Sequence, residues 1–453
     1  MTMTMTMTMT MTMTMTMVRV ENLLSPHQGA ERTAGPFAMS LASVAVVASG
    51  LLIYVSQAFL VAEMLGIKRE LQFVLIIPIA IAACYYFVSV PSQVLEPLIF
   101  FSFVKLVTEI ALRGQWSYVL DSLAAVLALT VLACAPAKSF LAGAKFVVAL
   151  AGTLALMALI QWVLLTLDPG LSKYVLVVSD EGVLENAVEH PIALLGIHED
   201  QIYSFLGQPL ARMQSFAKEP SLNVIYFMLP ASLAFLLNSP ISVLWGGTIL
   251  TFCVLSLSGS IFLALAFAAA WWLLLHVVSM RVVVPYGFLI VMAVFLFAVS
   301  NFGYQPLIDA ISLIAEYGDF LTKTVSLTDR SAAAVVHMRA ALASPFGSPT
   351  ISDLPGPWFV NSALAAGWLG VLFLFLFLRN LGRQLDVFHS NSSPLGTRSL
   401  GSLLLVGALA TVMAFNDYQM GNYAGLVLLA FIYRMIHLKN QRDGTVGAIR
   451  DLR

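Results

Sequence analysis

FLAGAKFVVALAGTLALMALIQWVLLTL, residues 140–167, carries a single charged side chain, Lys145. An α-helix rises about 1.5 Å per residue and bilayer hydrocarbon is about 30 Å thick, so about 20 apolar residues cross it. This stretch exceeds that length without a proline or an acidic residue. Similar apolar stretches occur at 37–60, 71–90, 95–113, 118–136, 221–238, 240–257, 261–279, 282–300, 358–378, 399–416 and 419–437. The expected fold is therefore an all-α polytopic membrane protein. It has about twelve transmembrane helices and two long extracytoplasmic loops containing short helices.

Composition agrees: 59% of the chain is hydrophobic and 10% charged, and mean hydropathy is +0.89. Soluble chains carry about a quarter charged residues. The formal net charge of -1 argues against a nucleic-acid partner, which requires a basic face. Cys84, Cys134 and Cys253 each sit in an apolar run and read as small core residues. No spacing of Cys, His, Asp and Glu suggests a metal site, and no cofactor is expected.

Three regions are expected: a low-complexity, disordered cytoplasmic N-terminal segment over 1–35, one transmembrane helical domain over 36–438, and a cytoplasmic tail over 439–453. The Met-Thr alternation of the first sixteen residues has the form of a repeat tract, which makes Met17 an alternative start. The first apolar segment begins near Pro36 and is long enough to span, which argues against a cleaved signal peptide.

Lys and Arg in short connections mark the cytoplasmic side. Arg379, Arg383 and Arg398 lie between the tenth and eleventh candidate spans, and Arg434, Lys439, Arg442, Arg450 and Arg453 lie at or beyond the end of the last. Both termini are then cytoplasmic, and the Lys68-Arg69 pair is the exception. Residues 168–220 and 301–357 face the exterior. Unstructured loops longer than about 15 residues are uncommon unless functional.

Three strings hold the candidate chemistry. RMQSFAKEPSLNVIYF, Arg212 to Phe227, enters a span through Glu219, Pro220 and Ser221. Helix capping accounts for Glu219 and Pro220 but not for Arg212. DRSAAAVVHMRAALASPFGSP, Asp329 to Pro349, is Ala-rich and helical in expectation until Pro345. Arg330 and His337, seven apart, share a face there, while Arg339 points the other way. A solvated external helix would have the same pattern. PWFVNSALAAGWLGVLFLF, Pro357 to Phe375, turns from the exterior into a span, with Gly367 and Gly370 as close helix-packing positions.

In this order the strings resemble the O-antigen polymerase and O-antigen ligase superfamily of bacterial membrane glycosyltransferases. The resemblance rests on Arg212 ahead of Glu219-Pro220-Ser221, the Ser-rich turn LSLSGS from Leu255 to Ser260, Arg330 followed by Pro345-x-Gly347, and Asn361. The chain departs from the pattern at Ile261, where an Arg often follows the Ser-rich turn, and at Val360, where the family has His before Asn. The second departure favours polymerase over ligase.

The resemblance implies a polyprenyl-diphosphate-linked oligosaccharide as donor and an acceptor glycan, joined at the periplasmic face of the bacterial inner membrane without a metal. It also implies flippase and chain-length regulator proteins as partners. A leaving diphosphate calls for guanidinium groups, so Arg212 and Arg330 form the expected clamp, with Arg339 also a diphosphate-binding candidate. Glu219 and His337 are the candidate bases. Pro220, Ser221, Gly347 and Asn361 are motif positions with structural roles.

Two other classes remain open: a membrane transporter or flippase for lipid-linked glycan, and a structural subunit of an envelope complex. Lys105, Glu109, Asp121 and Lys145 lie in or near early spans, as a transporter's charges would. Lys105 and Glu109 are four apart and are expected to neutralise each other on one helix face. The halves of the chain show no self-similarity of the kind inverted repeats leave.

Overall fold

The computed structural model describes residues 36–57, 68–86, 95–114, 116–167, 223–256, 258–274, 279–301, 337–348, 357–390, 396–414 and 421–450, together with four short strands between 176 and 211. The expected N-terminal segment 1–35 and residues 451–453 lie outside this set.

Helix α1 spans Pro36–Gln57 and α2 spans Lys68–Tyr86. Helix α3 runs over Glu96–Thr108 and continues into a π-helical turn, Glu109–Arg113. Pro97 opens it where a missing N–H is harmless, and Gly114, at φ 61°, ends it in the left-handed conformation that suits glycine. Helices α4, Trp116–Cys134, and α5, Ala137–Leu167, follow. A π-helical turn, Val224–Met228, leads directly into Leu229–Leu237, and together these make α6. Asn238 stops α6 in the left-handed region, and the Ser239 hydroxyl accepts the Ser242 N–H at 3.2 Å to cap α7, Pro240–Leu255.

Helices α8, Gly259–Leu274, and α9, Met280–Asn301, come next. A short α10 covers 337–343. The chain continues through α11, Trp358–Ser390, α12, Thr397–Ala414, and α13, Tyr423–Arg450. A helix thus stands at each of the twelve apolar stretches. Two of them, over Ala137–Leu164 and Trp358–His389, are long and apolar enough to cross a membrane. A third counts if α7 and α8, bent by 120° at their junction, are one broken span.

The first long loop differs from expectation. Its described residues are strands, not short helices: β1, Leu176–Val178, pairs in parallel with β2, Gly196–His198. Strand β3, Ile202–Phe205, pairs antiparallel with β4, Gln208–Ala211. The runs LVV and IYSF are rich in β-branched and aromatic residues, which favour strand pairing. In the second loop the short helix is present as α10.

Helices α6 and α13 form the centre. Residues 223–237 and 423–436 are buried on every side, as an all-round apolar helix must be. Helix α12 packs on α6 and α8, α11 on α3 and α9, and α5 on α1 and α7. The outer helices turn apolar stripes outward: Phe73, Ile77, Ile81 and Tyr85 of α2, and Phe100, Phe103, Val107 and Ile110 of α3, are about half exposed or more. Leaving the exposed half of such side chains in water forgoes roughly 1 kcal/mol each, so this surface is suited to an apolar surrounding.

Contacts define the two ends of the bundle. At one, Arg281 pairs with Asp386 at 3.1 Å, Arg398 with Asp443 at 3.3 Å, and Ser43 donates to Ser139 at 2.9 Å. Arg434 donates to the Ala135 carbonyl there and lies 4.8 Å over the Phe140 ring. At the other end the C-terminus of α3 meets the N-termini of α4, α11 and α13. Helices α4, α11 and α13 each run from one end to the other, so Arg281, Arg398 and Arg434 lie opposite the end that carries α10, where Arg113 stands as an exception.

Candidate functional site

Five of the expected site residues, Arg212, Glu219, Pro220, Ser221 and Arg330, lie outside the described residues, and with them the proposed guanidinium clamp. His337, Arg339, Gly347 and Asn361 are described, and all four lie at the α10 end.

Helix α10 is amphipathic over less than two turns. His337, Met338 and Ala341 are buried, while Arg339, Leu342 and Ala343 are exposed. His337 and Arg339 therefore do point apart, as their spacing requires. The imidazole does not face solvent: it is 4% exposed, its Nδ1 has no hydrogen-bond partner, and burial holds its pKa below the ordinary histidine value. Met338 and Ala341 pull this face of the helix into the core, an effect that an Ala-rich sequence does not announce.

After α10, residues 345–348 form a turn that docks into a break in α11. Gly367 has φ 65°, ψ -177°, so α11 is interrupted there and is not simply a close-packed helix. The Trp368 N–H donates to the Pro345 carbonyl at 3.0 Å, and the Ser348 N–H donates to the Leu364 carbonyl at 2.9 Å. The Trp368 indole reaches the Ala341 carbonyl at 3.2 Å. A Cβ at Gly367 would stand 2.7 Å from the Pro345 oxygen, and one at Gly347, φ 107°, would stand 2.7 Å from Thr108 Cγ2. Gly347 is thus a fitting point between the turn, α3 and α11. Asn361 sits in the first turn of α11, half-buried, its N–H donating to the Pro357 carbonyl at 3.2 Å.

Arg113 holds this arrangement from the α3 side. Its guanidinium pairs with Glu109, donates through Nε to the Ser348 carbonyl at 3.0 Å and through Nη2 to the Leu364 carbonyl at 2.9 Å. The expected Lys105–Glu109 pairing is replaced. Glu109 belongs to Arg113, also four residues on. Lys105 donates to the Gly421 carbonyl at 2.9 Å and to Asn422 Oδ1 at 2.8 Å, with Asp121 Oδ2 at 4.0 Å. That Asp121 oxygen also accepts the Tyr423 N–H at 3.2 Å, so it caps α13 from another helix. The π-helical turn at Glu109–Arg113 shifts the register, and spacing rules for a plain α-helix do not include it.

Buried polar groups without partners gather at the same end. They are Glu109 Oε2, Ser122 Oγ, both amide atoms of Asn223, the His337 Nδ1, the Trp358 indole nitrogen and Ser362 Oγ. The Trp358 nitrogen lies 3.8 Å from where a Cβ would stand on Gly421, whose carbonyl receives Lys105. Trp358 and Ser362 are one turn apart and share a face of α11. An unmade hydrogen bond on a buried group costs about 1–3 kcal/mol, so a cluster of them calls for water or ligand atoms. Sequence reasoning singled out the neighbours Ser221 and Asn361; Asn223, Trp358 and Ser362 stand one to three positions away in the same two strings.

Among the described residues, no group of three His, Cys, Asp or Glu side chains is placed to hold a metal ion. The three cysteines are free: Cys253 is buried as expected, Cys134 is intermediate, and Cys84 is exposed on α2. No family model matches the sequence, and no curated protein is detectably similar to it.

Proposed function

We propose that this chain is a multi-span inner-membrane glycosyltransferase of the surface-polysaccharide polymerase type, with about twelve spans and both termini in the cytoplasm. It transfers a glycan from polyprenyl diphosphate to an acceptor glycan at the exterior end of the bundle, the end that carries α10. The observation that carries the reading is the convergence there of the Pro345-x-Gly347 turn, the entry of α11 with Asn361, and buried polar groups without partners. A polyhydroxylated substrate supplies donors and acceptors of the kind that Asn223, Trp358 and Ser362 lack. Arg212 and Arg330 hold the diphosphate in this reading, and Arg339 assists. Glu219 or His337 takes the proton of the attacking hydroxyl. Burial lowers the pKa of His337, so its neutral ring is available but is a weaker base than a solvated imidazole.

Transfer to the lipid A-core, the ligase reaction, uses the same donor. Deleting the gene and resolving surface glycan on a gel separates the two: a single repeat unit on the acceptor identifies the polymerase, and free lipid-linked polymer with bare core identifies the ligase. Replacing Arg212 or Arg330 by Ala is expected to abolish chain extension with the protein still in the membrane. Near-normal polymer from either variant overturns the clamp.

The second reading, a transporter of lipid-linked glycan, is favoured by one observation: Lys105 and Asp121 face each other inside the bundle, 6% and 18% exposed. Loss of the whole surface glycan after deletion, with single lipid-linked units trapped on the cytoplasmic leaflet, would select it.

A further inference from the structure

The outward face of α10 and its turn carries residues of the wrong kind for water. His337, Met338 and Ala341 point inward, and the opposite side presents Arg339, Leu342 and Ala343, positions i, i+3 and i+4, with Phe346 exposed in the turn that follows. Leu342 is 53% exposed and Phe346 85%. A flexible tip could fold such a phenylalanine away, but this turn is fastened on both sides. Pro345 and Ser348 are bonded to Trp368 and Leu364, and Arg113 is bonded to the Ser348 carbonyl. The exposed face is therefore held in place, apolar except for one cation.

What lies beside it indicates the occupant. The outward stripe of α3, Phe100 to Ile110, continues through Leu112, 42% exposed. It ends near Arg113, which touches the turn. Three residues beyond stands Trp116, 78% exposed. An apolar stripe followed by an exposed tryptophan and joined through Arg113 to a turn with an exposed phenylalanine has the order found where hydrocarbon gives way to lipid phosphates.

The geometry points to an interfacial anchor: the outward face of α10 and its turn lies in the headgroup boundary of the outer leaflet, with Leu342 and Phe346 among the upper acyl carbons and Arg339 on lipid phosphate. This rests on the membrane-embedded reading above and adds the depth at which the bilayer meets the site. Lipid attached to the platform would then set the height of His337 and the α11 entry relative to a lipid-linked donor.

The test uses the full chain in liposomes. In a background with Cys84, Cys134 and Cys253 replaced by Ala, a nitroxide is placed through Phe346→Cys, and separately through Phe103→Cys as a deep reference. Relaxation enhancement by oxygen and by a water-soluble nickel chelate is then compared. The anchor predicts that oxygen exceeds the chelate at 346, by a smaller margin than at 103. It also predicts that Arg339→Glu inverts the ratio at 346 in phosphatidylglycerol but not in phosphatidylcholine. Chelate dominance at 346, or access by neither reagent, overturns the anchor, the second result meaning that protein covers the face. Chelate dominance at 103 as well overturns the embedding itself. Should the cysteine-free protein misfold, the unmodified chain is photolysed with a photoactivatable phosphatidylglycerol. Adducts within residues 339–346 are then expected, and adducts on α3 alone overturn the anchor.

Discussion

His337 illustrates how one buried side chain ties stability to pH. Burial lowers its pKa in the folded protein, so the neutral ring is the folded form and the unfolded chain binds the extra proton more readily. The stability gained from keeping it neutral is complete above the unfolded value, about 6.5, and is lost as pH falls below that. Thermal unfolding in detergent is therefore expected to shift to lower temperature between about pH 7 and pH 5, and His337→Gln should flatten that slope. An unchanged slope would show that other groups govern it. Gly367 makes a purely steric prediction. Its φ of 65° and the Pro345 oxygen, 2.7 Å from a notional Cβ, leave no room for alanine. Gly367→Ala should destabilise by at least about 1–3 kcal/mol, read as a lower unfolding midpoint.

At the scale of elements, Arg113 joins three of them: α3, the 345–348 turn and the first half of α11. Its removal would strip the buried Glu109 carboxylate of its paired guanidinium and leave two carbonyls short of a donor, and breaking such a buried pair costs about 3–5 kcal/mol. Arg113→Ala should unseat the turn and reduce polymer formation more than Arg339→Ala does. Arg113→Lys should rescue little, because an ammonium is a compact point charge without the planar fork that reaches all three acceptors. Polymer yield and protein level in the membrane, measured together, decide it.

The helices themselves were legible, because apolar runs bounded by polar punctuation leave little alternative; each expected span has a helix near its place. The strands of 176–211 were hidden in a stretch that hydropathy reads only as loop. The partner of Glu109 was hidden too, since Lys105 at i-4 and Arg113 at i+4 are equivalent by spacing, and the Gly421–Asn422 turn drew Lys105 away. Buried Asn223, Trp358 and Ser362 were passed over because a polar residue in an apolar run does not reveal whether its partner exists.

For the whole molecule, the two ends make a prediction about sidedness. The end with Arg281, Arg398, Arg434, Lys439 and Arg442 should face the cytoplasm, and the end with α10 and Trp116 the exterior. Single cysteines at Arg442 and Arg339, introduced into the cysteine-free background, should react with an impermeant maleimide from the inside and the outside of intact cells respectively. Labelling of both from one side would dismantle the arrangement.

The all-round burial of residues 423–436 of α13 has a consequence for biogenesis. In the membrane-embedded reading this segment leaves the ribosome after the described neighbours that surround it, so the earlier segments wait in the bilayer around an unfilled centre. Nascent chains arrested before Tyr423 should be open to protease and to quality control, and resistance should arrive abruptly once that last segment slots in, late closure making assembly of this protein nearly all-or-none.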